Sequence, residues 1–326
     1  MKVCVFGAGA VGGHIAGRLH KGGAEVSIVA RGAHLHAIQA NGLRVEAADG
    51  PIHARVPASD DPAALGPQDA VVVAVKAPSL PAVAAGIGPL LGPDTAVMFA
   101  MNGIPWWYYH GHGGAAEGRR LPLLDPGDAM WRAVGPERAV GGVVYSACTV
   151  TVPGVVHVDN PRSRLVIGEP AGPAGPRTEA LAAALRAGGM GADVTDRIRD
   201  AIWAKLLLNL ASGLPGVLTG CAPARFFAEP AVCDATRQIS AEGAAIARAL
   251  GCTVAPDAEG QIRNGAKSTH KTSILQDLEL GRAMEIDALY TVPLAMARNA
   301  GVATPLLDLM AAMVRARARG AGLYPD

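Results

Sequence analysis

Apolar residues at 3–6 give way to a glycine cluster, a segment of helical pattern at 10–21 and a second apolar run at 26–29. A short apolar run bounded by turn residues reads as a buried strand, and apolar positions recurring every three or four residues read as a helix. The chain therefore opens as strand, glycine turn, helix, strand: a βαβ unit. Further runs at 71–75, 96–101, 143–145, 155–158 and 165–167 predict strands, and 81–91 predicts an alanine-rich helix. Alternation of this kind implies a mostly parallel sheet covered on both faces. The stretch 169–176 is rich in Pro, Gly and Ala, but a helix at 178–186 and a strand at 192–195 follow it, which puts a domain boundary near residue 196. Beyond it only helices are predicted, at 201–210, 233–250, 273–299 and 305–319. The expected architecture is an α/β domain over 1–196 followed by an all-α domain over 197–326.

Composition narrows the function classes. A chain of 326 residues exceeds what one core usually supports, and although 50% of it is apolar, no uninterrupted run reaches the roughly 18 to 20 residues of a membrane span. Lys plus Arg number 29 against 28 Asp plus Glu, so the basic excess of a nucleic-acid or anionic-membrane binder is missing and neither partner is expected. The five cysteines form no C-x-x-C pair, which fits reduced thiols in a cytoplasm and gives no reason to expect a metal. Gly7, Gly9, Gly12 and Gly13 interrupt the opening apolar stretch, and His14 and Arg18 follow closely, against a cleaved signal.

Gly7-Ala8-Gly9-Ala10-Val11-Gly12 fits G-x-G-x-x-G, directly after a strand and at the mouth of a helix. The first glycine allows a tight turn, the second lets backbone approach a pyrophosphate, and the third lets helix pack on strand, while helix N-terminal amides meet the negative charge. At the end of the second strand, where an acid would bond the ribose 2′-hydroxyl of NAD, the chain has Arg31. A guanidinium there can pair with a 2′-phosphate, so NADP is the expected cofactor, with a solvated surface arginine as the plain alternative. Lys76 and Asn102 each follow an apolar strand at the carboxyl edge, where ligands of doubly wound sheets lie. Lys76 can neutralise a phosphate or hold a carboxylate, and Asn102 can bond the ribose or substrate by its amide; an ordinary loop position is the plain alternative for each.

In the second domain, Lys205 and Asn209 lie four residues apart, hence on one helical face, among bulky apolar residues. Partial desolvation there prepares an ammonium to give up a proton, as a carbonyl receiving hydride requires, and Asn209 could orient the substrate. A snorkelling lysine would give the same pattern. Ser273 with Gln276 forms a capping-box sequence, and Ser273 could also receive a carboxylate; Glu285 is either a hydroxyl-binding carboxylate or a salt-bridge partner.

Taken together, these residues resemble the ketopantoate reductase (2-dehydropantoate 2-reductase) family over nearly the whole chain. The carriers are GAGAVG, Arg31, Val75-Lys76-Ala77, Asn102-Gly103, Trp203-Ala204-Lys205-Leu206-x-x-Asn209, Leu218-Thr219-Gly220 and Ser273-x-x-Gln276-Asp277-x-x-x-Gly281-Arg282-x-x-Glu285-Ile286-Asp287. The resemblance implies an N-terminal Rossmann domain, a C-terminal helical domain like that of 6-phosphogluconate dehydrogenase, and an active site in the cleft between them. It implies a cytoplasmic enzyme of pantothenate biosynthesis that reduces a 2-keto acid with NADPH. By motif, Lys205 resembles the general acid, and Asn209 and Ser273 resemble substrate ligands. Glu285 resembles the residue near the cofactor or substrate hydroxyl, and Lys76 and Asn102 resemble cofactor and substrate contacts. A paralogue acting on another keto or hydroxy acid and a non-catalytic NADP-binding sensor are the alternatives, and a homodimer is compatible with either.

Two features depart from the family pattern. Gly213 stands where a second substrate asparagine is common, and the connection after Asn102-Gly103 runs about 40 residues to Gly141. That connection holds Trp106-Trp107-Tyr108-Tyr109, four of the chain's 13 aromatics. A substrate-facing lid is expected there in preference to a subunit contact, because long connections are usually functional and aromatics exclude water from small sites. The pairs His110/His112 and His34/His36 lack the carboxylate or cysteine company of a metal site and read as surface histidines.

Overall fold

A computed structural model describes residues 1–159 and 162–325 and divides into two compact units, Met1–Met101 with Pro105–Ile198, and Asn102–Ile104 with the chain from Arg199 onward. The first holds an eight-stranded sheet of β1 (Lys2–Phe6), β2 (Glu25–Val29), β5 (Ala58–Ser59), β6 (Gln68–Val73), β7 (Leu91–Phe99), β8 (Ala139–Tyr145), β11 (Arg164–Gly168) and β12 (Gly191–Val194). Its order is β12-β11-β8-β7-β6-β1-β2-β5, and every pairing is parallel except β11 against β8. Val3, Cys4 and Val5 are fully buried, as are Val71, Val72 and Val73, because both faces of a parallel sheet are covered.

The strands at 43–54 escaped the sequence reading. β3 (Leu43–Ala47) and β4 (Gly50–Ala54) join β10 (Val155–Val158) and β9 (Cys148–Val152) in a separate four-stranded sheet of order β4-β3-β10-β9. The predicted strand at 155–158 exists but belongs here. This sheet packs on α1 (Ala10–Lys21), where Gly13 and Gly17 lie one turn apart: Cβ atoms on them would come within 2.8 Å of Val156 and 2.7 Å of Val45. α1 is thus closed in on both sides, beside α5 (Pro176–Ala187), with His14, Ile15 and Leu19 fully buried. Helices α2 (Gly32–Asn41), α3 (Leu80–Gly86) and α4 (Ala129–Ala133) complete this unit.

The second unit is helical: α6 (Ile198–Thr219), α7 (Pro223–Phe226), α8 (Pro230–Ala249), α9 (Ala258–Gly265), α10 (Ser273–Glu279), α11 (Val292–Asn299) and α12 (Pro305–Gly320). By length and composition α6 could cross a membrane, but it is the core helix here, with Trp203, Leu206, Leu207, Leu210 and Leu214 at 0–2% exposure. One helix was expected over 273–299; the chain instead breaks after Glu279. Gly281 takes φ +62, and helical structure resumes through a π-helical stretch, Asp287–Thr291.

The aromatic segment is a correction. Trp106, Trp107, Tyr108 and Tyr109 are 0–3% exposed, and Trp106 meets Phe99 and Trp131 edge-to-face at 5.5 and 5.9 Å. The connection joins the parallel pair β7 and β8, which needs a crossover lying on the sheet, so its aromatics are core of the first unit and not a surface lid.

Candidate active site

Within the first unit, the chain leaves β1, β2 and β6 at the same carboxyl edge, and these strands are neighbours in the order β6-β1-β2. The glycine loop follows β1, Arg31 follows β2 and Lys76 lies three residues past β6, so the sheet gathers these predicted residues at one edge. The strand order reverses at β1, the position where such sheets bind nucleotides. Gly7 takes φ +96, and a Cβ there would sit 2.5 Å from Val75; a Cβ at Gly12 would collide with the Gly7 carbonyl. A Cβ at Gly9 meets nothing within 4 Å, which leaves open space above the loop for a pyrophosphate. Arg31 is exposed and forms no ion pair among the described residues, free to take a 2′-phosphate. These residues fit a bound NADP.

His34 corrects the surface-histidine reading. Gly154 N–H donates to its Nδ1 at 3.0 Å, so its Nε2 carries the proton and donates to the Ala8 carbonyl at 2.7 Å. The imidazole ties the glycine loop to the β9–β10 turn. Its position three residues after Arg31 was the one available signal. His112 also packs inward, against Tyr108 and Tyr109 at 5.9 and 5.3 Å.

Within the helical unit, α6 carries Lys205, half-buried, and Asn209 one turn on, with Gly213 a turn further along the same face. Asn209 Nδ2 is buried without a hydrogen-bond partner among the described residues. Asn102 and Glu285, far apart in sequence, are brought together: the Asn102 amide donates to Glu285 Oε2 at 3.4 Å, and Glu285 is only 8% exposed. Ile104 N–H donates to the Ala288 carbonyl at 2.9 Å, which seats the 102–104 strip on the π-helical stretch. Ser273 is exposed at the first residue of α10, but the expected capping box is absent. Thr272 is the N-cap without a side-chain cap bond, and Gln276 Nε2 donates to the Lys271 carbonyl at 2.8 Å. Ile274, next to Ser273, lies 3.4 Å from where a Gly213 Cβ would be, so the entry to α10 runs along the Lys205–Asn209 face.

Residues 3–172 match the family model Ketopantoate reductase PanE/ApbA, and residues 197–318 match Ketopantoate reductase PanE/ApbA C terminal. The protein belongs to the ketopantoate reductase family. The 2-dehydropantoate 2-reductase of Mesorhizobium japonicum is 44% identical over 331 residues, covering 99% of this chain and 100% of the relative. The crystal structure of a Ralstonia solanacearum MolK2 protein matches with TM-score 0.91 at 39% identity, over 99% of both chains. That of the PanE/ApbA family ketopantoate reductase from Ralstonia eutropha JMP134 matches with TM-score 0.83 at 30% identity, over 99% and 100%. As a family member the chain is an NADP-dependent oxidoreductase of the 2-dehydropantoate 2-reductase type.

Proposed function

We propose that this reductase uses NADPH to reduce a short branched 2-keto acid of the 2-dehydropantoate kind to the 2-hydroxy acid, in the cytoplasm, as a homodimer. The observation that carries the reading is the helical face on which Lys205 stands one turn from Asn209, whose Nδ2 is buried without a partner among the described residues. NADPH, when bound, supplies the hydride that reaches the keto carbon. Lys205 donates the proton that the keto oxygen needs as charge develops on it. Asn209 and Ser273 hold the substrate's oxygens, and the buried Glu285 carboxylate fixes the Asn102 amide so that both face substrate or ribose hydroxyls. Gly7 to Gly12 cradle the pyrophosphate, while Arg31 and Lys76 meet the remaining phosphate charge.

The test is NADPH oxidation by purified protein across branched, aromatic and dicarboxylic 2-keto acids, with wild type and Lys205→Ala compared. The branched acids should be turned over fastest. In Lys205→Ala, kcat should fall about 10²- to 10⁴-fold while NADPH affinity stays near wild type. A near-wild-type kcat in that variant assigns the proton to water or another group. No oxidation with any acid would support the sensor alternative.

A further inference from the structure

Three buried polar atoms of the helical unit that find no hydrogen-bond partner among the described residues lie along one face of α6. Asn209 Nδ2 belongs to the helix itself. Tyr290 Oη sits 2.6 Å from where a Cβ on Gly213 would be, and Thr272 Oγ1 sits 3.0 Å from that of Gly216. Positions 209, 213 and 216 are spaced i, i+4, i+7, so the three atoms form a stripe that continues from Lys205. A buried polar group left unpaired forfeits its hydration, and three in a row beside a reactive lysine call for a ligand.

Tyr290 is built for this position. It is 1% exposed, and its ring is held among Leu210, Leu214, Ile246 and Pro293, which leaves the hydroxyl to the Gly213 side of α6. It belongs to the π-helical stretch Asp287–Thr291, whose extra residue per turn re-aims side chains and recurs at functional sites. Gly213 supplies the room, since any Cβ there would displace the hydroxyl. Burial also keeps the phenol protonated and able to donate.

We propose that Tyr290 is a specificity-determining residue whose hydroxyl, one turn along α6 from the Asn209 amide, receives an uncharged oxygen substituent carried by the keto acid beyond its keto carbon, with the Thr272 hydroxyl extending the neutral polar lining past it. This rests on the 2-keto acid reading above. All three groups are neutral, so a hydroxyl is matched and a second carboxylate is not. A site built to bond a hydroxyl rejects the analogue without it, because its own polar groups are then left unpaired.

The test compares kcat/KM for 4-hydroxy-3,3-dimethyl-2-oxobutanoate and for 3,3-dimethyl-2-oxobutanoate, which lacks only the hydroxyl. Wild type should prefer the hydroxylated acid by about 100-fold or more, and Tyr290→Phe should cut that preference about 10- to 100-fold. The loss should fall on the hydroxylated acid alone, with NADPH affinity unchanged. Gly213→Ala should act in the same direction and add little on top of Tyr290→Phe, which keeps the question decidable if either variant folds poorly. An unchanged preference, or equal losses on both acids, overturns the role of Tyr290 while the reductase reading stands. Failure of wild type to oxidise NADPH with either acid overturns that reading and this proposal with it.

Discussion

Arg31 shows what a single residue decides. It follows β2 at the edge where the glycine loop opens, and it is exposed. A charge-assisted fork to a 2′-phosphate outweighs solvent competition because two parallel hydrogen bonds form at once. Arg31→Ala should therefore weaken NADPH binding about 10- to 150-fold and leave NADH nearly unaffected; fluorescence titration with both cofactors checks this, and equal weakening would remove Arg31 from the phosphate site. The glycine loop and Arg31 were legible in the sequence because their requirements are local: a tight turn after a strand, an open approach at Gly9, a charge at the next strand's end. Tyr290 was not, since its part depends on a π turn and on a glycine in another helix. His34 was misread for a related reason. Its two partners, Ala8 and Gly154, lie in separate segments that no spacing rule connects.

Among elements, the crossover between β7 and β8 departs furthest from its sequence reading. Polar and glycine-rich residues around the four aromatics gave no helical or strand period, so the segment read as a loop; its place over a parallel sheet is a fact of topology, not of local pattern. Trp106 lies between Phe99 and Trp131, and Arg120 stacks 3.2 Å over the Trp131 ring. Trp106→Ala should cost about 3–5 kcal/mol by removing a fully buried ring, and deleting 105–120 should prevent the first unit from folding. Denaturant melts decide it: a loss under about 1 kcal/mol, the range of ordinary surface substitutions, would return the segment to the surface. The break after Glu279 was hidden for a different reason. Apolar spacing continues on either side of Gly281, and periodicity is blind to a single left-handed residue.

On the scale of the whole molecule, one buried network sets an acid limit. Arg18 donates from Nε to His14 Nε2 at 3.1 Å and pairs with both Asp49 oxygens at 2.7 Å, while His14 Nδ1 donates to Ser146 Oγ at 3.0 Å. These bonds join α1 to residues beside both sheets. Burial, then the Arg18 charge, pushes His14 down to about 4, with Asp49 opposing. A group whose pKa is lowered on folding stabilises the fold above its unfolded value, and that stability is lost as pH falls from about 6.5 to 4. The loss should reach up to about 3 kcal/mol. Asp49 and Glu169, also held low by arginine partners, lose their contributions as pH falls through the ordinary carboxylate range and below, so the slope above about pH 5.5 belongs to His14. Tryptophan-monitored unfolding between pH 7 and 4 should show the slope, and His14→Gln should flatten it; an equal slope in the variant would place the titration elsewhere.

The 102–104 strip bears on how this chain can be taken apart. Gly103 takes φ +79, and a Cβ on it would strike the Ala288 carbonyl, so the strip fits the helical unit as a glycine-specific insert. The polypeptide consequently visits that unit for three residues before returning to it for good at Arg199. No single cut yields two intact pieces. A fragment starting at Arg199 would leave Glu285 without the Asn102 amide and the Ala288 carbonyl without the Ile104 N–H. A chimaera that exchanges helical units between relatives must carry this tripeptide with the helices, although the chain numbers it among the strands.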